Sequence, residues 1–197
     1  MSFLNSIILL LVIGLISTNS EKPDIHYFII DQADFKVHCK TNINSFTCST
    51  SADNLSDTLK VYVYKDQSIA RFNNANIQVP VQSFNCGIKQ LTKDFHETLD
   101  SDKYPYLKVR INFIKANNTS DDLTAEITLN IAGQNKEYNF PIELAKESNQ
   151  YNCEGSNTIS LNDFELDTPD RFFGMVKVRE NVSLKFNLKA IEVNNVY

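Results

Sequence analysis

The chain has 197 residues, 42% of them hydrophobic, and a formal net charge of -5, with acidic and basic residues interspersed throughout. That size supports one domain with a sizeable core, and the lack of a concentrated basic face excludes nucleic acid as a partner. No Gly-x-Ser-x-Gly elbow, phosphate-cradling glycine loop or CxxC pair is present, and five glycines in all leave little room for such loops.

Ile7 to Ile16 is an almost unbroken apolar run. It falls short of the roughly 20 apolar residues a transmembrane helix needs, and Thr18 and Ser20 are small residues of the kind a signal peptidase accepts before Glu21. We expect residues 1–20 to be a cleaved secretory signal peptide and residues 21–197 to form one domain, periplasmic or secreted, without stable membrane insertion of the mature chain.

Short strands are predicted over Tyr27 to Ile30 and Phe35 to Lys40, separated by the polar Asp31 and Gln32. A turn at Thr41 to Ser45 leads to a strand over Phe46 to Ser51. Ala52 to Asp57 reads as a loop before Thr58 to Lys65, where Val61 and Val63 alternate with Tyr62 and Tyr64. Val79, Val81 and Phe84 share one strand face, and Asn85, Cys86 and Gly87 bring turn chemistry. Ile88, Leu91, Phe95 and Leu99 then recur at helical spacing against a charged opposite side. Pro105 ends that helix, because a proline biases its predecessor towards extended backbone, and Leu107, Val109, Ile111 and Phe113 resume the alternation of a strand.

Asn117 to Asp122 reads as a hairpin loop. The clearest strand follows, with Leu123, Ala125, Ile127, Leu129 and Ile131 on one face. After a turn at Ala132 to Asn135, Tyr138, Phe140, Ile142 and Leu144 return, and Lys146 to Gln150 is predicted as a loop. Cys153 to Leu161 and Phe164 to Leu166 precede a last hairpin, Gly174 to Arg179 with Val182 to Val193, whose Val182, Leu184, Phe186, Leu188 and Ala190 point inward. Successive half-apolar strands with one helix indicate an antiparallel β-meander, and closing it into a barrel of about eight strands removes the exposed edges. A barrel of that size is either filled by its own side chains or holds one slender ligand.

Four cysteines, Cys39, Cys48, Cys86 and Cys153, are an even number in a chain that reads as exported, so disulfides are expected. Cys39 could meet Cys48 across the turn at Ile43 and Asn44, leaving Cys86 to Cys153; alternatively Cys48 meets Cys86 and Cys39 meets Cys153. Buried free thiols are the bland reading. His26, His38 and His96 show no metal-ligand spacing, and Asp163 and Asp167 read as turn-capping acids rather than an acid–base pair.

Several phrases stand in order: Thr41-Asn42-Ile43-Asn44-Ser45-Phe46-Thr47-Cys48; Val79-Pro80-Val81 with Asn85-Cys86-Gly87 and, after the helix, Asp102-Lys103-Tyr104-Pro105-Tyr106; Ile127 to Lys136; and Asn162-Asp163-Phe164 with Pro169 and Gly174. In that order they resemble the YceI-like family. Glu165 stands where the family usually has glycine. The resemblance implies an exported all-β protein, an antiparallel up-and-down lipocalin-like β-barrel of about eight strands with one short helix covering it, that binds polyisoprenoid lipid.

On that reading the lipid-binding surface is Leu91, Phe95 and Leu99 of the helix with Val109, Ile111, Phe113, Ile127, Leu129, Phe140, Ile142, Leu184 and Phe186 of the strands. The expected ligand is a polyisoprenoid or quinone chain, with no required cofactor, no metal and no catalysis. A second copy of the chain, as a homodimer, is the other partner expected. The competing class is a structural or protein-interaction barrel with a packed core, binding through loops such as Asn117 to Asp122.

Overall fold

Period-two alternation organises almost the whole chain in a computed structural model, which describes residues 22–73, 75–117, 122–166, 170–171 and 176–193. The expected signal peptide, the tip of the Asn117 to Asp122 loop, and Asp167, Pro169 and Gly174 lie outside the described residues. The strands are β1 (Asp24–Lys40), β2 (Ser45–Tyr64), β3 (Ile69–Asn73), β4 (Asn76–Pro80), β5 (Tyr106–Ala116), β6 (Leu123–Ile131), β7 (Gln134–Glu147), β8 (Gln150–Ser160), β9 (Asp170–Arg171), β10 (Val176–Lys177) and β11 (Asn181–Glu192), with one α-helix, α1 (Lys89–Thr98).

Eight strands form a closed antiparallel ring in the order β3-β2-β1-β11-β8-β7-β6-β5, and β3 pairs with β5 to complete it. This is the expected up-and-down lipocalin-like barrel. β3 and β4 lie in tandem along one edge of β5: β3 takes Phe113 to Lys115, and β4 takes Tyr106 to Arg110. The helix and its flanking turns are thus an insertion at the seam between β2 and β5.

Beyond β3 that seam is held by other means. Ser49 and Asn85 exchange backbone hydrogen bonds of 3.0 and 2.9 Å, Thr50 and Ser83 hydroxyls meet at 2.7 Å, and Cys48 forms a disulfide with Cys86. Asn85 Oδ1 accepts from the Gly87 amide, and Thr92 Oγ1 accepts from the Cys86 amide, so the turn that carries Cys86 is fixed at the start of α1. Phe95 then packs on the fully buried Phe84, ring centroids 5.2 Å apart, and α1 caps one end of the barrel.

The structure corrects several expected boundaries. Asp31 and Gln32 do not separate two strands; β1 runs through them, with Asp31 as an extra residue opposite β11 between the Ile30–Ala190 and Gln32–Lys189 pairs. Ala52 to Asp57 is strand rather than loop, because the long β1 supplies partners along its length and β2 absorbs the mismatch as a register shift between Ile29–Thr58 and Ile30–Leu55. Lys146 to Gln150 shortens to a tight turn at Ser148 and Asn149, with Ser148 at φ 59°. Phe164 to Leu166 is no strand either: a 3-10 turn spans Leu161–Phe164. The last hairpin does not form, since Val176–Lys177 pairs with β9, whereas β11 lies between β1 and β8. Val81 falls in a 3-10 turn past β4, and Ile88 precedes α1 and is 61% exposed.

The Cys48–Cys86 link closes a 38-residue loop, and constraining the unfolded chain over that length contributes about 4 kcal/mol on the chain-entropy account. Reduction, or Cys86→Ser with Cys48→Ser, is therefore expected to lower unfolding stability by about 3–4 kcal/mol. Urea melts with and without reductant measure this, and coincident melts would show that the seam hydrogen bonds suffice.

Candidate functional site

Inward side chains divide the lumen into two unequal spaces. At the end away from α1, a well of about 260 Å³ opens to solvent. Its walls are apolar: Phe28, Ile30, Leu59, Val61 and Val63 from β1 and β2, Ala70 and Phe72 from β3, Ile111 and Ile114 from β5, and Leu144, Cys153, Leu188 and Ala190 from β7, β8 and β11, with His26 and Tyr151 adding the polar edge. Under α1 only about 60 Å³ remains, among Phe35, Val37, Phe84, Phe95, Leu99, Val109, Leu129, Ile159, Val182, Leu184 and their neighbours.

A packed layer separates the two. Along β11, Phe186 stands between Leu188 of the well and Leu184 of the closed space; along β1, Ala33 stands between Ile30 and Phe35. The Phe140 and Phe186 rings lie 5.5 Å apart, Phe140 is fully buried, and Ile127, Ala125 and Ala33 are each buried beside them. Gly155, in register with both Phe186 and Ile142, leaves the space the Phe186 ring occupies. A Cβ there would meet Phe186 Cζ at 2.5 Å.

The twelve residues expected to line one lipid surface are therefore distributed. Ile111 borders the open well. Phe95, Leu99, Val109, Leu129 and Leu184 border the small closed space. Ile127, Phe140, Ile142 and Phe186 are buried in or beside the layer between, and Leu91 packs half-buried against the core from α1. Phe113 is a correction. Asn112 is an extra residue opposite β6, between the Ile111–Ile127 and Phe113–Glu126 pairs, and such a bulge reverses which face the following residues occupy. Ile114 consequently lines the well, and Phe113 lies outside under the Arg71 guanidinium, 5.8 Å from its ring centroid. The bulge at Asp31 has the same effect in β1: His26, Phe28 and Ile30 point in before it, and Ala33, Phe35 and Val37 after it.

The well's edge carries a hydrogen-bonded belt that sequence spacing did not disclose, because its members are far apart in the chain. His26 Nδ1 donates to Glu192 Oε1 at 2.7 Å, and Tyr151 Oη and Lys146 Nζ donate to Glu192 Oε2 at 3.0 and 3.3 Å. One side chain comes from each of the ring neighbours β1, β11, β8 and β7. Phe28 meets the Tyr151 ring edge-on at 5.1 Å. The His26 hydrogen bond, with those from Tyr151 and Lys146, holds the Glu192 carboxyl below its ordinary 4.5 against the opposing effect of burial.

Cys39 and Cys153 are free thiols. Cys39 lies six residues beyond Ala33 towards the α1 end of β1, about 20 Å along the strand, whereas Cys153 lines the well, so the pair cannot bond. The alternatives joining Cys39 to Cys48 or Cys153 are thereby overturned. Burial pushes both thiols up to about 12, well away from the range of reactive cysteines. Among the described residues no group of His, Cys, Asp and Glu side chains converges as metal ligands would. Tyr138 donates its hydroxyl to Asp163, His96 Nε2 donates to the Phe84 carbonyl at 3.1 Å, and His38 meets Thr47 Oγ1. No helix among the described residues is long and apolar enough to cross a membrane.

The YceI-like domain model matches residues 28–190, most of the barrel. The chain belongs to the YceI-like family. Solved structures agree in fold. Burkholderia cenocepacia BcnA is 17% identical at a TM-score of 0.58, over 80% of this chain and 95% of that one. A polyisoprenoid binding domain from Saccharophagus degradans implicated in plant cell wall breakdown is 12% identical at 0.56, over 84% and 98%. A Campylobacter jejuni YceI protein variant is 14% identical at 0.52, over 71% and 81%. No curated protein matches the chain.

In this YceI-like barrel the Glu192 contacts make a distinct acid dependence. A carboxyl held below its unfolded value contributes stability that is complete above about pH 4.5 and is lost as pH falls through the lower folded value. Glu192→Gln is expected to flatten the acid limb of a stability–pH profile. An unchanged limb would mean that the belt adds nothing to folding.

Proposed function

We propose that this protein binds the apolar tail of an isoprenoid lipid, a polyisoprenoid or an isoprenoid quinone, and shields it from water without catalysing a reaction. The observation that carries this is the open well: about 260 Å³ of space, walled almost entirely by aliphatic and aromatic side chains and reachable from solvent. A void of that kind is favourable ground for hydrocarbon, since each methylene taken out of water contributes roughly 0.8 kcal/mol. Membership of the YceI-like family supports the reading, as does the S. degradans relative's description as a polyisoprenoid binding domain. The Cys48–Cys86 disulfide supports work in an oxidising compartment, the periplasm or the exterior.

The purified full chain is expected to yield an isoprenoid on lipid extraction and in native mass spectra, and to take up a labelled isoprenoid quinone. Ala70→Phe, which fills the well from β3 without burying a charge, is expected to weaken uptake by about tenfold or more while circular dichroism stays that of a β-barrel. Unaltered uptake by the folded variant would rule out the well as the site. Persistent absence of lipid, together with no uptake by the unmodified chain, would rule out the function.

A further inference from the structure

The well has a floor, and the floor limits what fits. Its lining on β1 runs only from His26 to Ile30, four residue steps, which is about 13 Å along a strand and about 10 Å along the axis of a barrel whose strands tilt by ~40°. An extended isoprene unit adds four carbon–carbon bonds, or about 5 Å. Below the floor only about 60 Å³ is free; along β11 Phe186 falls between Leu188 of the well and Leu184 of the closed space, and its ring lies 5.5 Å from that of the buried Phe140. The partition has structural support of its own, since Gly155 leaves the position that the Phe186 ring fills.

Building on the lipid-binding reading, we infer that the protein selects short isoprenoid tails, of about two or three units, over long ones, and that Phe140 and Phe186 are the residues that determine this length. A longer tail must either leave its remainder in water at the mouth or displace two buried rings, and both weaken binding.

Two benzoquinones with the same head, one diprenyl and one octaprenyl, test this when titrated into the full chain from matched mixed micelles, with each affinity corrected for partition into the micelle. Binding is followed by quenching of tyrosine fluorescence, for the chain has eight tyrosines and no tryptophan and Tyr151 lines the well. The diprenyl compound is expected to bind at least about tenfold more tightly, and Phe186→Ala to narrow that ratio by about tenfold. Phe140→Leu is the second variant should the first fail to fold. Equal affinity of the unmodified chain for both compounds would overturn the length limit and leave the lipid-binding reading standing. A ratio unchanged in a folded variant would overturn the role of the phenylalanine pair. Binding of neither compound would overturn the lipid-binding reading, and this inference with it.

Discussion

Everything in this molecule depends on closing the seam between β2 and β5. A meander of half-apolar strands has two raw edges, and here one edge is split between two short strands, so that β3 closes onto β5 by three residue pairs, Ile69–Lys115, Ala70–Ile114 and Arg71–Phe113. Past them, β4, the Ser49–Asn85 bridge and the Cys48–Cys86 disulfide complete the closure. The insertion that does this also carries α1, and the ring therefore acquires two unlike ends. One is stoppered by Phe84, Phe95 and Leu99, and the other is left with its apolar walls facing solvent.

An eight-stranded ring is at the size where the interior is either filled or able to hold a slender guest. This barrel does both along its axis. Filling prevails where large residues meet small ones in register, as with Phe186 across from Gly155. Space remains where Ala70, Ala190 and Cys153 thin the wall. The sum of apolar residues does not distinguish the two halves; their sizes and positions do.

The closed antiparallel barrel and the faces within each regular run were legible in the sequence, because β6, β7 and β11 alternate without interruption, whereas the extent of β1 and β2 and the partner of β11 were not. Alternation could not be carried across a bulge. At Asn112 one extra residue turns Phe113 out and Ile114 in, and nothing about the run Arg110-Ile111-Asn112-Phe113-Ile114 marks the slip. At Asp31 and Gln32 the polar dipeptide did signal an irregularity, and the reading that resulted, a break between strands, misjudged its form. The well was missed for a related reason: the expected lining was gathered around the helix, the most recognisable element, while the open end lies opposite. Strand ends such as His26, Val63, Tyr151 and Glu192 come together only through ring order, which pairwise spacing does not contain. The resemblance contributed where physical reading had left alternatives, and Glu165 illustrates its worth: at the position where glycine was expected, the backbone adopts φ 56°, the left-handed region that glycine occupies without strain.

The separation of the open well from the closed space bears on exchange as well as on fit. A tube open at both ends lets a newcomer push the previous occupant out from behind, whereas a blind pit has a single door. On the lipid-binding reading, a tail held in the well must depart the way it came before another can take its place, so its exchange is set by the departure rate and not by how many molecules queue outside.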